Sequence, residues 1–263
     1  MKKLLVIGNP IDHSLSPKLH NYWIKKNNIN AIYEKRKLEL GDLENFIIKI
    51  KNKEIYGANV TVPFKRNIIS FMDDLTEESK VTQSVNTIYL KEDKIIGHNT
   101  DASGFEFAIK RIGYNFSSKK VLILGSGGVV PSLIFTLKRM KVSKIYISNR
   151  TQNRAEELKK LFQDLLVIEW GQVPEFDVII NATSLGLNKE DKIDLNFSKI
   201  GKDKFFYDVI YNPNETNFLK IGKKLGNKTE NGRLMFIHQA SESFKIWFGV
   251  EPKIDDDVIN LLD

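Results

Sequence analysis

Short β-branched runs alternate with longer amphipathic stretches along nearly the whole chain, a rhythm that predicts βαβ units and parallel sheets. In the first part, strands are predicted over residues 4–7, 31–37, 55–62, 87–90 and 94–98. Apolar positions at helical spacing predict helices over 17–26, 43–50, 64–71 and from about 101 to 112, and residues 113–119 read as a linker. A second series follows, with strands over 121–124, 144–148, 167–168, 178–181 and 205–209 and helices over 131–140 and 154–162. After Gly232, the spacing of Met235, Phe236, Ala240, Phe244 and Trp247 predicts a long helix to Phe248, and a short one covers 256–262. No internal repeat or low-complexity tract interrupts the series. The expected fold class is α/β, with two domains and a cleft between them. Clefts and the carboxyl ends of parallel strands are where such proteins bind ligands.

Composition narrows the picture. Hydrophobic residues make up 41% of the 263 positions and charged residues 28%, enough apolar material for a real core in one large or two medium domains. No apolar run approaches the ~20 residues needed to span a bilayer, so no membrane partner is expected. Met1-Lys2-Lys3 and the short apolar run after it lead straight into a polar motif, which suits a first buried strand and not an export signal. A cytoplasmic protein is therefore expected. There are no cysteines, which excludes disulfides, thiolate metal sites and cysteine nucleophiles, and no metal site is predicted. The net charge of +7 raises the question of nucleic acid. Lysines and arginines are dispersed, and aromatics do not interleave with them, so anionic small molecules account for the charge better.

The most informative segment is Gly57-Ala58-Asn59-Val60-Thr61-Val62-Pro63-Phe64-Lys65. In a strand, Asn59 and Thr61 share one face, while Tyr56, Ala58, Val60 and Val62 take the apolar other. Pro63 suits the first position of a helix. Lys65 would then lie in the first turn, where the helix dipole opposes a cation and favours acid–base use of the amine. Taken alone, Lys65 and Arg66 read better as solvated surface cations.

Val121-Leu122-Ile123-Leu124 leads into Gly125-Ser126-Gly127-Gly128-Val129-Val130 and then a helix. Strand, glycine turn and helix form the context of a dinucleotide site: Gly125 permits the turn and Gly127 lets the backbone approach a pyrophosphate. The third small position holds Val130, which is bulkier than the usual residue there. The next strand ends in Asn149-Arg150-Thr151, with Arg154 beyond and no acid for a ribose 2′-hydroxyl. Arginines and a hydroxyl suit a 2′-phosphate, so NADP is expected over NAD. Thr151 also fits a helix N-cap, and the two roles are compatible.

Near the N-terminus, Ser16-Pro17 reads as an N-cap and N1 pair, leaving the Ser14 hydroxyl free for a polyol or carboxylate. His13 fits a loop histidine, and Asp101 a first-turn helix acid.

Together these residues resemble the shikimate dehydrogenase family over essentially the whole chain. G-x-P-I-x-H-S-x-S-P-x-x-H-N is met from Gly8 to Asn21, and G-x-N-V-T-x-P-x-K from Gly57 to Lys65. V-N-T falls at Val85 to Thr87 and N-T-D-x-x-G-F at Asn99 to Phe105. N-R-T lies at Asn149 to Thr151 and N-A-T-S-x-G at Asn181 to Gly186. Tyr211-Asn212-Pro213, Thr216, Gln239-Ala240, Phe244, Trp247 and Gly249 complete the match. The resemblance implies NADP(H)-dependent reduction of 3-dehydroshikimate to shikimate, in the route to chorismate and aromatic amino acids. It implies a catalytic pair, Lys65 and Asp101, and substrate contacts from Ser14, Ser16, Asn59, Thr61, Lys65, Asn86, Asp101, Tyr211 and Gln239. It implies cofactor contacts from Gly125, Ser126, Gly127, Gly128, Val129, Asn149, Arg150, Thr151, Arg154, Thr183, Val209, Gly232 and Glu77. It further implies a substrate-binding and catalytic domain of residues 1–101 plus 233–263 with a mostly parallel sheet, and a Rossmann-like NADP domain of residues 102–232. The partner is a small molecule, and the chain is a monomer or a homodimer. Val129-Val130-Pro131 and Arg233-Leu234 depart from the family pattern at positions that shape cofactor binding. A quinate/shikimate dehydrogenase of broader specificity and a non-catalytic NADP-binding regulator are the rival readings.

Overall fold

A computed structural model describes residues 1–262. The chain forms two compact units, Met1–Phe107 with the C-terminal stretch from Ile237, and Ala108–Phe236. The first contains β1 (Lys2–Gly8), α1 (Ser16–Lys26), β2 (Ala31–Lys37), α2 (Leu43–Lys51), β3 (Gly57–Val60), β4 (Asp74–Leu75), α3 (Glu77–Thr82), β5 (Thr87–Lys91), β6 (Lys94–His98) and the start of α4 (Asp101–Ile112). Its sheet runs β2-β1-β3-β5-β6-β4. β1 is parallel to β2 and β3, β4 is parallel to β6, and β5 is antiparallel to both its neighbours. Five strands thus point one way and β5 runs against them. The β5–β6 link turns on Glu92 and Asp93, with φ of 50° and 61°, the left-handed pair that a tight hairpin requires. Leu43, Phe46, Ile47 and Ile50 recur at helical spacing on α2 and pack on Leu5, Ile7, Ala58, Val60 and Ile88 of the sheet. Each such side chain contributes about 1.5–3 kcal/mol on burial.

The second unit holds β7 (Lys120–Leu124), α5 (Val130–Arg139), β8 (Lys144–Ser148), α6 (Gln152–Leu161), β9 (Leu166–Ile168), β10 (Val178–Asn181), β11 (Phe205–Asp208), α7 (Asn217–Lys224) and β12 (Lys228–Glu230). Its sheet is wholly parallel in the order β12-β11-β10-β7-β8-β9. The order reverses between β7 and β10, as in doubly wound dinucleotide folds. The chain closes with α8 (Arg233–Phe248) and α9 (Asp256–Asn260).

The structure corrects several expectations. The strand expected to Val62 ends at Val60, and Val62 is 55% exposed instead of facing the core. No α-helix covers residues 64–71: a turn runs to Arg66, and a 3₁₀ segment follows over Asn67–Phe71. The cause is local. The Ile68 N–H does reach the Phe64 carbonyl, but the Lys65 carbonyl accepts the Val85 N–H at 2.9 Å and the Ile69 N–H goes to Arg66, so the i→i+4 ladder does not continue. The dipole argument for Lys65 falls with that helix. At the start of α1 the N-cap position is Leu15, not Ser16, and the Ser14 hydroxyl oxygen accepts the Ser16 N–H at 3.3 Å, so Ser14 is not free. β4, α3, α7 and β12 were not expected: they are short, and their polar residues hide the period. α7 is signalled by Thr216, whose hydroxyl caps the Leu219 N–H at 3.3 Å.

On the opposite face of the first sheet, α1 and α8 enclose an aromatic cluster. The His20 ring stacks on Tyr33 at 4.2 Å and 8°, meets Trp23 edge-on at 5.8 Å, and lies 5.5 Å from Trp247. Trp247 donates its indole N–H to the Ile88 carbonyl at 3.0 Å, which pins α8 to β5. Burial pushes the His20 imidazole down to about 3, so it is neutral in the fold. Unfolded, it takes up a proton below about pH 6.5. Over that interval the unfolded chain binds more protons, so stability falls as the pH drops. Asp208 on β11 opposes this: burial pushes its carboxyl up to about 6, so its contribution to stability grows as pH falls below 6. A single-residue difference separates the two. The unfolding free energy of the natural chain relative to His20→Phe should fall by ~2–3 kcal/mol between about pH 6 and pH 4 in urea titrations. Parallel curves for the two proteins would contradict a neutral buried His20.

Candidate active site

In the first unit the charged centre is a buried ion pair. Lys65 Nζ lies 2.5 Å from Asp101 Oδ2, with side chains 11% and 8% exposed. Lys65 follows the end of β3, and Asp101 is the first residue of α4, where the helix dipole favours an anion. Two asparagines hold the carboxylate in place. Asn99 Oδ1 accepts the backbone N–H groups of Asp101 and Ala102 at 3.0 and 3.2 Å, which caps α4. Its amide donates to the Ser84 carbonyl at 2.9 Å and so ties the cap to the loop before β5. Asn86 donates to Asp101 Oδ1 at 2.8 Å and to the Thr100 hydroxyl at 2.9 Å, and its Nδ2 lies 3.5 Å from Gln239 Oε1 on α8. Asp101 thus has one oxygen on an ammonium and the other on an amide.

Asn59 on β3 joins the same network. It donates to the Asn86 carbonyl and to the Ser243 hydroxyl, each at 3.0 Å. The structure therefore brings together five expected residues: Lys65, Asp101, Asn86, Asn59 and Gln239. Thr61 lies just past β3, with its N–H on the Ile7 carbonyl; Ser14 lies in the loop that begins at Asn9 after β1, and Ser16 is the first residue of α1. That loop is fastened to the same segment, because the Asn9 N–H donates to the Val62 carbonyl at 2.9 Å. Tyr211 belongs to the second unit, where its ring stacks on Phe236 at 4.2 Å. Glu77 is exposed at the start of α3 in the first unit.

Sequence reasoning met Asn99, Thr100 and Thr87 within the motifs but assigned them no role, and it missed Ser243. Asn99 carried a readable signal, an Asx residue two positions before a first-turn acid. Ser243 carried none: it is a small polar residue on a helix, and only the packed structure shows its hydroxyl 2.8 Å from Thr87 Oγ1 and 3.2 Å from Thr100 Oγ1.

In the second unit the expected residues gather at the carboxyl ends of adjacent strands. Gly125, with φ of 104°, follows β7, and a Cβ there would lie 2.7 Å from the Ala182 carbonyl oxygen. Gly127 is exposed, and a Cβ there would meet only the Ala182 carbonyl oxygen, at 3.9 Å, which leaves room for the close approach of a pyrophosphate. Ser126, Gly128 and Val129 complete the turn, and Val130 is wholly buried, so its bulk seats in the core at the start of α5. Asn149, Arg150, Thr151 and Arg154 lie where β8 passes into α6, and both arginines are exposed. Thr151 occupies the N-cap position but makes no side-chain cap bond, which leaves its hydroxyl available. Thr183 follows β10, held by Asn181, whose Oδ1 accepts both its N–H at 3.1 Å and its hydroxyl at 2.7 Å. Asn181 in turn donates to Asp208 Oδ1 at 3.1 Å, and Asp208 also accepts the Thr216 hydroxyl and the Ile210 N–H. A Cβ on Gly232 would collide with the Val209 carbonyl, so only glycine fits there. The exposed glycine turn, the available Thr151 hydroxyl and a strand tip with arginines and no acid fit a dinucleotide with a 2′-phosphate. Among the described residues, no group of three His, Cys, Asp or Glu side chains could hold a metal ion, and no helix is long and apolar enough to cross a membrane.

A doubly wound unit with a glycine turn, joined to a unit carrying a buried lysine–aspartate pair, defines an α/β protein of the dehydrogenase class. Residues 6–88 match the shikimate dehydrogenase substrate binding domain, and residues 106–211 match the shikimate/quinate 5-dehydrogenase domain. The chain is 57% identical over 262 residues to the shikimate dehydrogenase (NADP(+)) of Pelagibacter ubique (strain HTCC1062), with 100% of this chain and 99% of that one covered. It superposes on shikimate dehydrogenase from Aquifex aeolicus with a TM-score of 0.90 at 34% identity, covering 100% of this chain and 97% of that one. It likewise matches the shikimate 5-dehydrogenase of Thermus thermophilus in complex with NADP(H) and shikimate, at a TM-score of 0.89 and 28% identity, covering 100% and 97% of the two chains. The chain belongs to the shikimate dehydrogenase family.

Proposed function

We propose that this chain is an NADP-dependent oxidoreductase acting on a CH–OH group, and that it interconverts 3-dehydroshikimate and shikimate on the route to chorismate. The observation that carries this reading is the buried Lys65–Asp101 pair with Asn86 and Gln239 beside it, at the positions of the family's own motifs. The unit containing Lys65 takes the small-molecule substrate, with Ser14, Ser16, Asn59, Thr61, Asn86 and Gln239 reading its carboxylate and hydroxyls, and Tyr211 is a further substrate contact. The unit containing the glycine turn takes the dinucleotide, through Gly125–Val129, Asn149 to Arg154, Thr183, Val209 and Gly232, with Glu77 as an outlying contact. The protein works in the cytoplasm as a monomer or homodimer, with neither nucleic acid nor membrane as partner.

Bound NADPH supplies the hydride. The chain must then manage the charge that develops on the ring oxygen. The Lys65 ammonium stabilises that oxygen and donates a proton to it, and in the reverse direction the neutral amine accepts the proton. Asp101 orients Lys65 through its Oδ2, and its Oδ1, which accepts from Asn86, keeps a second lone pair for a neighbouring substrate hydroxyl. Because the polar groups around the pair are buried, an analogue lacking a matching hydroxyl leaves them unpaired and is rejected. The rival reading as a regulator is disfavoured by the intact pair, and quinate use is tested directly: initial rates with shikimate and quinate, each with NADP and NAD, should be highest for shikimate with NADP. Quinate turnover equal to that of shikimate would replace this reading with the broader one.

Two variants test the assigned roles. Lys65→Met, which keeps the length of the side chain, should lower kcat by ~10²–10⁴-fold with a smaller change in KM. Adding Asp101→Asn should make it little worse, because the two groups share one task. Near-normal turnover in Lys65→Met would remove the lysine from proton transfer. Arg150→Ala should raise KM for NADP by about 10- to 150-fold, the worth of a charge-assisted contact, and change KM for NAD far less. Equal weakening with both cofactors would show that Arg150 does not read the 2′-phosphate.

A further inference from the structure

The N-terminal motif ends in His20-Asn21, and neither residue has a place in the chemistry described above. Both act on Tyr33 of β2. The Asn21 side chain imitates a strand partner: its Oδ1 accepts the Tyr33 N–H at 3.0 Å, and its Nδ2 donates to the Tyr33 carbonyl at 2.7 Å. The His20 imidazole covers the Tyr33 ring, stacked at 4.2 Å and 8°. Tyr33 is 1% exposed, so backbone and ring are both fixed. Its hydroxyl donates to Asn59 Oδ1 at 2.6 Å.

That bond decides what Asn59 can offer a ligand. A primary amide has two hydrogens. Those of Asn59 face the Asn86 carbonyl and the Ser243 hydroxyl at 3.0 Å, with Thr87 Oγ1 at 3.2 Å. Both hydrogens are committed inside the protein. The phenol hydrogen of Tyr33 needs an acceptor, and so it holds the amide with Oδ1 on its side. One lone pair of Oδ1 remains.

We propose that Tyr33 is a positioning residue for substrate binding: held by His20 and Asn21, its hydroxyl fixes Asn59 as a hydrogen-bond acceptor for a substrate hydroxyl. This rests on the assignment of Asn59 to the substrate. Without the phenol, Asn59 is held only through its Nδ2 bonds, Oδ1 loses the contact that fixes its position, and a substrate hydroxyl meets a less well placed acceptor. A packing role alone predicts a stability change and no selective effect on the substrate.

The test is a double-mutant cycle of Tyr33→Phe and Asn59→Ala, read by calorimetric binding of shikimate to the protein without cofactor and by steady-state turnover. Tyr33→Phe keeps the stacked ring and removes only the hydroxyl. The shikimate Kd and KM should rise about 3- to 10-fold, with kcat and the KM for NADP within about twofold of the natural chain. In the double variant the loss should not exceed that of Asn59→Ala, because Tyr33 acts through Asn59. Should Asn59→Ala fail to fold, His20 carries the decision: His20→Ala should raise the shikimate KM, and His20→Phe, which restores the stacked ring, should recover most of that loss. An unchanged shikimate Kd in Tyr33→Phe, losses that add in the double variant, or no recovery by His20→Phe would each overturn the proposal. Absence of shikimate turnover in the natural chain would instead overturn the functional reading and this proposal with it, so the two failures are told apart by one control.

Discussion

Removing an ammonium and a carboxylate from water costs several kcal/mol per ion, and the rest of the first unit is arranged to offset that for Lys65 and Asp101. Their mutual contact is not sufficient, because a carboxylate has more lone pairs than one lysine can serve. Asn86 meets the second oxygen, the N-terminus of α4 places a favourable dipole beneath it, and Asn99 caps that terminus. Lys65 is placed from its backbone, through the bond between its carbonyl and the Val85 N–H. Asn86 follows Val85 directly, so one short segment places both the lysine and the amide that serves its partner. The antiparallel β5 that begins at Thr87 is what carries this segment past the end of β3. An otherwise parallel sheet thus departs from its rule at the place where the charge is buried.

The same logic explains what could be read from the sequence. The parallel strands of the second unit announce themselves as continuous apolar runs, since both faces of β7 and β10 are covered. The glycine turn is legible because Gly125 answers to a backbone requirement that its own letter reveals. Lys65 and Asp101 were legible through a many-residue pattern, while the local reason first offered for Lys65, a helix dipole, was wrong. Propensity favours a helix after Pro63. A long-range bond to Val85 overrides it, and no window of a few residues contains that partner. Ser243 and Tyr33 were invisible for the opposite reason. Each is ordinary in its own element and gains meaning only where α8 and β2 meet β3. Asp208 is similar: a lone acid at a strand end became, in the fold, a buried hub for Asn181, Ile210 and Thr216.

The two units solve different recognition problems. Under the proposed function, backbone groups and exposed arginines of the second unit serve a ligand whose charge is high and whose shape is extended, so few buried side chains suffice. Under the same reading, selectivity for a small polyol in the first unit needs fixed donors and acceptors, which the buried amide and hydroxyl network would provide. Val130 and Pro131 fit this division. A valine packs in the core where a smaller residue would leave space, and a proline at the start of α5 lacks an N–H that the helix would not have used.

Under the proposed function, the buried lysine–aspartate pair is the place where the substrate oxygen gains or loses its proton. A crystal structure of the chain with shikimate and NADP⁺ bound tests it most directly. The account predicts the shikimate hydroxyl that undergoes oxidation within ~2.6–3.2 Å of Lys65 Nζ, with Asp101 still bonded to Asn86. That hydroxyl bonded elsewhere, with Lys65 turned away and more than about 4 Å from it, would contradict the account.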